Sequence, residues 1–432
     1  MNTETRLKPD RASNPKGRLT LLMAITSLLS FLLAPGVLFA TPVHAAGASG
    51  ALFGLFPAGN DHSYPLADAF YATGGALDPN LGVSGMGAYL PAMVRWQGAN
   101  NDVINMYETV GGEASLLAYD LPTTWDTYHS IPMVSWSAIT QDQLAASGGY
   151  DSYLQGFALT LKQFISGVDA NGAAAPAGGR RLFLRPDWEA NGNWYGWSPA
   201  ANASDCATMA QQEANYVAMW RHVHDVVMSA GGFSSSQVSW VFSVNNTDYA
   251  PSIPASCANG ASDIVPHIYP GDAYVDWVGI DGYNWADRGT QSAATIFGPM
   301  VSKLKGLTTR PLSIDEVGTG TQTQPTLAPT QPNNVYYTAA QKGAWIADYF
   351  NYLQTAGIKM SLWFNNNKEE DWAVFSQPGA QDPLSRGDST FTDGLTIYNT
   401  YTEYATGVRS TYFISPDQTN PRLLTDAQFG GQ

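Results

Sequence analysis

An α/β chain closing as a parallel (β/α)8 barrel is what this sequence predicts, on two observations. Eight short apolar or β-branched runs recur along it, and stretches with helical spacing separate several of them. The runs fall at 51–57, 93–96, 131–136, 182–186, 238–244, 277–283, 312–317 and 360–365, and helical spacing is read at 152–168, 207–230, 293–307 and 336–356. Strand and helix therefore alternate, as βαβ units do. An open doubly wound sheet would show the same alternation. No Gly-rich phosphate turn of the dinucleotide type follows the first run, however, and eight units close most simply into a barrel. Two stretches rich in Gly, Pro and small or polar residues, 170–179 and 318–334, are read as loops, the second on the mouth side as a lid or substrate wall.

The chain opens with Arg6, Lys8, Arg11, Lys16 and Arg18, continues through an apolar run at 19–40, and reaches small residues around Val43-His44-Ala45. That order predicts a signal peptide over 1–45, leaving 46–432 as one secreted catalytic domain. The apolar run is about long enough to span a bilayer. Pro35-Gly36 and the small-residue exit favour cleavage over an anchor, so no stable membrane association is expected afterwards.

The net charge of −15, which loss of residues 1–45 would take to about −18, argues against nucleic acid, anionic polysaccharides and membrane surfaces as partners. A neutral polysaccharide carries no such penalty, and a monomer is expected. The 13 Trp, 22 Tyr and 17 Phe beside only 13% charged residues supply flat apolar faces of the kind that bind sugars, although a large core uses the same residues.

Cys206 and Cys257 are an even pair in an exported chain, which predicts a disulfide, stabilising by about 4 kcal/mol through loop closure. His62, His129, His222, His224 and His267 show no zinc-protease spacing, and no nucleophile elbow surrounds a serine. Neither metal nor cofactor is therefore expected. His267 is a candidate for the cleft lining or for a buried structural role, Trp136 and Trp240 are read as core, and Glu369-Glu370-Asp371 as a solvated loop.

Two segments carry chemistry. In the first, Arg185-Pro186-Asp187-Trp188-Glu189, an apolar strand ends in a carboxylate set between Trp188 and Trp194, where partial desolvation would keep Glu189 protonated as a general acid. In the second, Leu312-Ser313-Ile314-Asp315-Glu316, another strand ends in two acids. Strand alternation sends Asp315 and Glu316 opposite ways, so only one is expected to enter the barrel mouth. The two segments lie about three βα units apart, which suggests the fourth and seventh strands. Carboxylates there can stand about 5–5.5 Å apart, the separation for a retaining double displacement.

Arg185 to Trp197, the helix-like 216–227, the strand-like 239–245, Tyr269-Pro270-Gly271-Asp272 with Val275 to Asn284, Glu316, and Trp363-Phe364-Asn365 with Lys368 to Trp372 recur in an order that resembles the family 26 glycoside hydrolases. These are retaining barrel enzymes dominated by endo-β-1,4-mannanases. The resemblance spans roughly 131–372 and implies Glu189 as acid/base and Glu316 as nucleophile. It further implies that Tyr283 hydrogen-bonds the nucleophile, that Arg185 holds it ionised and that Trp363 is the sugar platform of the reactive subsite. Trp194 and Trp197 would stack further sugars, and Asn191 and Asn245 would bond hydroxyls. One departure stands out: the family usually has His before its acid/base Glu, where this chain has Trp188, which offers an N–H donor and a stacking face. The expected activity is hydrolysis of internal β-linkages, mannan first. A β-glucanase or β-xylanase, and a non-catalytic carbohydrate-binding protein, are the alternatives.

Overall fold

Eight parallel strands close into a barrel in chain order in a computed structural model that describes residues 50–57, 89–109, 116–137, 142–167, 179–254, 256–257, 263–323, 335–378, 382, 384–414 and 424–432. They are β1 (Leu52–Phe56), β2 (Val103–Thr109), β3 (Ile131–Ser137), β4 (Leu182–Pro186), β5 (Val238–Asn245), β6 (Trp277–Asn284), β7 (Leu312–Thr319) and β8 (Met360–Phe364). β1 pairs with β2 on one side and β8 on the other, which closes the ring. The predicted signal peptide over 1–45, most of the first predicted loop and the 324–334 part of the second lie outside the described residues.

Seven of the runs coincide with strands, and the second is a correction. Residues 93–96 lie in helix α1 (Tyr89–Gln97), where Pro91 sits in the first turn and Leu90, Met93 and Gln97 are buried on one face. The true second strand is Val-Ile-Asn-Met-Tyr-Glu-Thr, whose apolar pattern Asn105 interrupts. Asn105 is nevertheless buried, and its Oδ1 accepts from Ser135 Oγ on β3 at 2.7 Å.

The outer helices include α2 (Asp151–Ile165), α3 (Cys206–Gly231), α4 (Ala293–Leu307), α5 (Ala339–Ala356) and α6 (Thr402–Val408). Local chemistry sets their ends. Asp205 and Thr208 form a capping box at the start of α3, as do Thr338 and Gln341 at the start of α5, and left-handed Gly232 and Gly357 stop the same two helices. The predicted disulfide is present: Cys206, the first residue of α3, is bonded to Cys257 in the connection after β5. After β8 comes a small antiparallel sheet of β9 (Phe375–Ser376), β10 (Ser389–Asp393) and β11 (Thr396–Thr400) that the sequence reading did not anticipate.

The barrel closes so tightly at β1 that side-chain volume decides its register. A Cβ on Gly54 would stand 1.9 Å from the Val103 carbonyl oxygen, a main-chain atom of the neighbouring strand. Gly54→Ala is therefore expected to lower stability by about 3 kcal/mol or more. Gly156→Ala on α2, where a Cβ meets nothing within 4 Å, should be neutral or slightly stabilising. Urea midpoints of the two variants check this, and equal midpoints would refute it.

Candidate active site

β4 carries Arg185 to its end, and Pro186 then takes the chain out of the ladder. The next residues turn sharply, with φ of 43° at Asp187 and 55° at Glu189, left-handed values that cost energy in a residue with a side chain. Neighbours over-determine the turn. The Asp187 N–H donates to the Trp136 carbonyl at 3.0 Å, and that of Glu189 to the Ser243 carbonyl at 2.9 Å. Trp197 Nε1 donates to the Trp188 carbonyl at 2.9 Å, and the Tyr216 hydroxyl to the Asp187 carbonyl at 3.1 Å.

The turn presents the Glu189 carboxyl to two neutral donors, Asn245 Nδ2 on Oε1 and Trp194 Nε1 on Oε2, each at 2.8 Å. Burial, helped by the charge of Glu316, pushes this carboxyl up to about 7, against the pull of the two hydrogen bonds and of Arg185. Such a group can hold and release a proton near neutral pH.

Glu316 has a different setting. Its Oε1 accepts from Arg185 Nη2 at 2.6 Å and from the Tyr107 hydroxyl at 2.5 Å, and its Oε2 accepts from the Tyr283 hydroxyl at 2.7 Å. Arg185 is fully buried and also donates to Asp281 Oδ2 at 2.7 Å and Ser135 Oγ at 3.0 Å. Burial alone would lower the affinity of this guanidinium for its proton. The charges of Asp281 and Glu316 outweigh it and hold Arg185 protonated.

Register aligns these groups: Asn245 on β5 pairs with Asp281 on β6, which pairs with Glu316 on β7. The expected opposition of Asp315 and Glu316 is only half realised. Ile280 pairs with Ile314 and Asp281 already with Glu316, so Asp315 is the extra residue of a bulge. Its side chain is buried with Oδ2 4.0 Å from Arg185 Nε, in space that the bare backbone of Gly279 leaves open. One guanidinium thus faces three carboxyls, and burial pushes those of Asp281 and Asp315 upward.

Glu189 and Glu316 open on one cleft of about 1190 Å³. Its walls include Tyr107, Trp188, Trp194, Tyr195, Trp197, Tyr249, Tyr283, Trp285, Phe364 and Trp372, beside Asn245, Asn246, Thr247, Asn284 and Gln291. Trp194 is 45% exposed at the rim, and Trp197 stacks on Tyr195 with ring centres 4.3 Å apart. Trp188 packs on Tyr107 at 5.2 Å and lies under the Arg185 guanidinium at 5.4 Å.

Several expectations need correcting. Trp363 is no platform: its ring is buried against Tyr349 and Tyr404 behind the barrel, because its neighbour Phe364 faces the cleft and successive strand residues alternate. Asn191 is buried outside the cleft lining, with its amide bonded to the main chain of Asn245 and to Asp248, so it fastens the β4 turn to the end of β5. His267 is exposed away from the cleft. Glu370 and Asp371, expected in solvent, are buried. Trp136 and Trp240 are in the core, as read.

The sequence reading missed Tyr107, Asp281, Trp285 and Trp372. Tyr107 lies in the unrecognised strand, whereas Asp281 carried a usable signal, a lone carboxylate inside an otherwise apolar strand.

Residues 179–315, which include the Glu189 turn and the strand leading to Glu316, match the model of glycosyl hydrolase family 26. The matched stretch is about a third of the chain. A curated relative, Endoglucanase H of Acetivibrio thermocellus, is 28% identical over 259 residues, covering 58% of this chain and 23% of the relative, so the match spans under a quarter of that protein's length. Among solved structures, the GH26 β-mannanase BoMan26A of Bacteroides ovatus shares the fold of this chain, with a TM-score of 0.50 at 14% identity, covering 87% of this chain and 93% of that one.

Because three carboxyls depend on one guanidinium, Arg185→Met should cost about 3–5 kcal/mol by leaving buried carboxylates unpaired. Chemical denaturation measures it, and an unchanged midpoint would contradict the charge balance described.

Proposed function

We propose that this glycoside hydrolase is exported and cleaves internal β-linkages of a neutral polysaccharide with retention, β-1,4-mannan first, using Glu189 as general acid/base and Glu316 as nucleophile. One observation carries the reading: two carboxyls share a cleft in opposite environments, one buried among neutral donors, the other held by a cation and two phenols. The aromatic and amide lining supports a neutral sugar polymer, and the basic, apolar and small leader together with the disulfide supports an oxidising destination.

The chemistry follows from these settings. Glu316, paired with Arg185, attacks the anomeric carbon while Glu189 passes its proton to the departing glycosidic oxygen, leaving a glycosyl ester on Glu316. Glu189, now a carboxylate, takes a proton from water. That water attacks the anomeric carbon and releases Glu316. Asn245 and Trp194 stabilise the carboxylate form that Glu189 must visit between the two steps.

A second reading, β-glucan hydrolysis, is favoured by the name of the 28% identical relative and by Trp188 where the family usually has His. Reducing-end release from mannan, mixed-linkage glucan and xylan by the wild type, Glu189→Ala and Glu316→Ala separates the readings. The expectation is cleavage of one polymer, falling about a thousandfold or more in each variant. Activity surviving either substitution would remove that residue from the mechanism. Inactivity of the wild type on all three polymers would favour a carbohydrate-binding protein.

The pH profile tests Glu189 separately. Since the first step needs it protonated, kcat/KM should fall as pH rises through about 7. Trp194→Phe removes an N–H that favours the carboxylate, so the basic limb should move to higher pH. A limb that stays put would show that another group sets it.

A further inference from the structure

The acidic run after β8 is a buried anchor. Asp371 Oδ1 accepts from the N–H groups of Thr321 at 2.5 Å and Gln322 at 3.0 Å, and its Oδ2 accepts from the Thr321 hydroxyl at 2.8 Å. Lys342, buried on α5, donates to the carbonyls of Asp371 and Ala373 and stands 3.8 Å from Asp371 Oδ2. Glu370 accepts from the Ala286 N–H through both oxygens, at 2.9 and 3.1 Å, and its carboxyl fills space that bare Gly320 leaves open. Segment 370–373 is thereby fastened to the loop after β6, the end of β7 and α5.

Burial pushes Glu370 up to about 8 and Lys342 down to about 8, so neither charge comes free. For stability alone, apolar packing would serve as well as such a buried ionic cluster. What the cluster does fix is Trp372, whose ring reaches the cleft. Trp372 lies 5.0 Å from the Tyr283 ring and stands at 90° to Trp285 at 4.9 Å. Tyr283 and Trp372 close over Gly318 together, each 3.1 Å from where its Cβ would be. Tyr283 in turn gives its hydroxyl to Glu316.

We propose that Lys342, Glu370 and Asp371 are positioning residues for Glu316, acting by holding Trp372 against Tyr283; the inference rests on the reading of Glu316 as nucleophile. A phenol aimed by a buried anchor holds the carboxylate at its attack angle. Losing the anchor therefore removes rate rather than substrate affinity.

The test is a double-mutant cycle in kcat and KM on whichever polymer the wild type cleaves, with folding checked by thermal melts. Asp371→Ala should lower kcat about tenfold or more with KM within about threefold. Asp371→Asn, which keeps an oxygen for the two N–H groups, should recover most of the rate. In a Tyr283→Phe background, Asp371→Ala should cost little further, because the path through the phenol is already cut. Unchanged kcat in folded Asp371→Ala, or losses that multiply in the double variant, would overturn the proposal. Lys342→Met runs the same cycle if Asp371→Ala does not fold. A Glu316→Ala enzyme that stays active, or an inactive wild type, overturns the reading of Glu316 and this inference with it. An inactive Glu316→Ala enzyme beside an Asp371→Ala enzyme of wild-type kcat overturns this inference alone.

Discussion

A single guanidinium in the dry interior of the barrel is the constraint on which the rest of the structure depends. Arg185 has no solvent to satisfy it, so its donors must find oxygen inside the protein, and they find it on Ser135, Asp281 and Glu316. Those partners lie on β3, β6 and β7. Ser135 passes the constraint to Asn105 on β2, and Asp281 accepts from Ser243 on β5 at 3.2 Å. Strand register and site electrostatics are thus one problem. A slip of any of these strands by one residue would turn its polar side chain outward and leave a buried charge uncompensated.

Glu189 stands outside that network and takes its character from the difference. It hangs from a left-handed turn among uncharged donors, while the charge that dominates the barrel interior is spent on Glu316. Two carboxyls of similar chemistry are separated in behaviour by what surrounds them. The separation needs no metal-ligand cluster, and none of three or more His, Cys, Asp or Glu is found among the described residues.

Legibility in the sequence followed the physics. Strands β3 to β8 are buried on both faces and read as nearly continuous apolar runs. β2 did not, because the inward Asn105 breaks the pattern that defines a strand in a sequence. The site chemistry itself hid the element. Arg185 and Tyr283 were found from their motifs, but Tyr107 meets Glu316 only after 209 positions of chain have closed into a barrel. Glu369-Glu370-Asp371 looked solvated because its partners are remote: Ala286 is 84 positions from Glu370, and Thr321 is 50 from Asp371. Trp363 was misjudged for a local reason, since strand alternation relative to Phe364 was enough to turn it away from the cleft.

The left-handed backbone at Glu189 also bears on how such a chain drifts. A position with φ of 55° is tolerated best by Gly and Asn, so replacing Glu189 by either would relieve backbone strain and remove a half-neutralised buried acid in one step. On the proposed role of Glu189 as acid/base, selection for turnover acts against relief of that strain at this one residue, and a lineage released from it would drift toward an inert barrel that still carries the aromatic cleft.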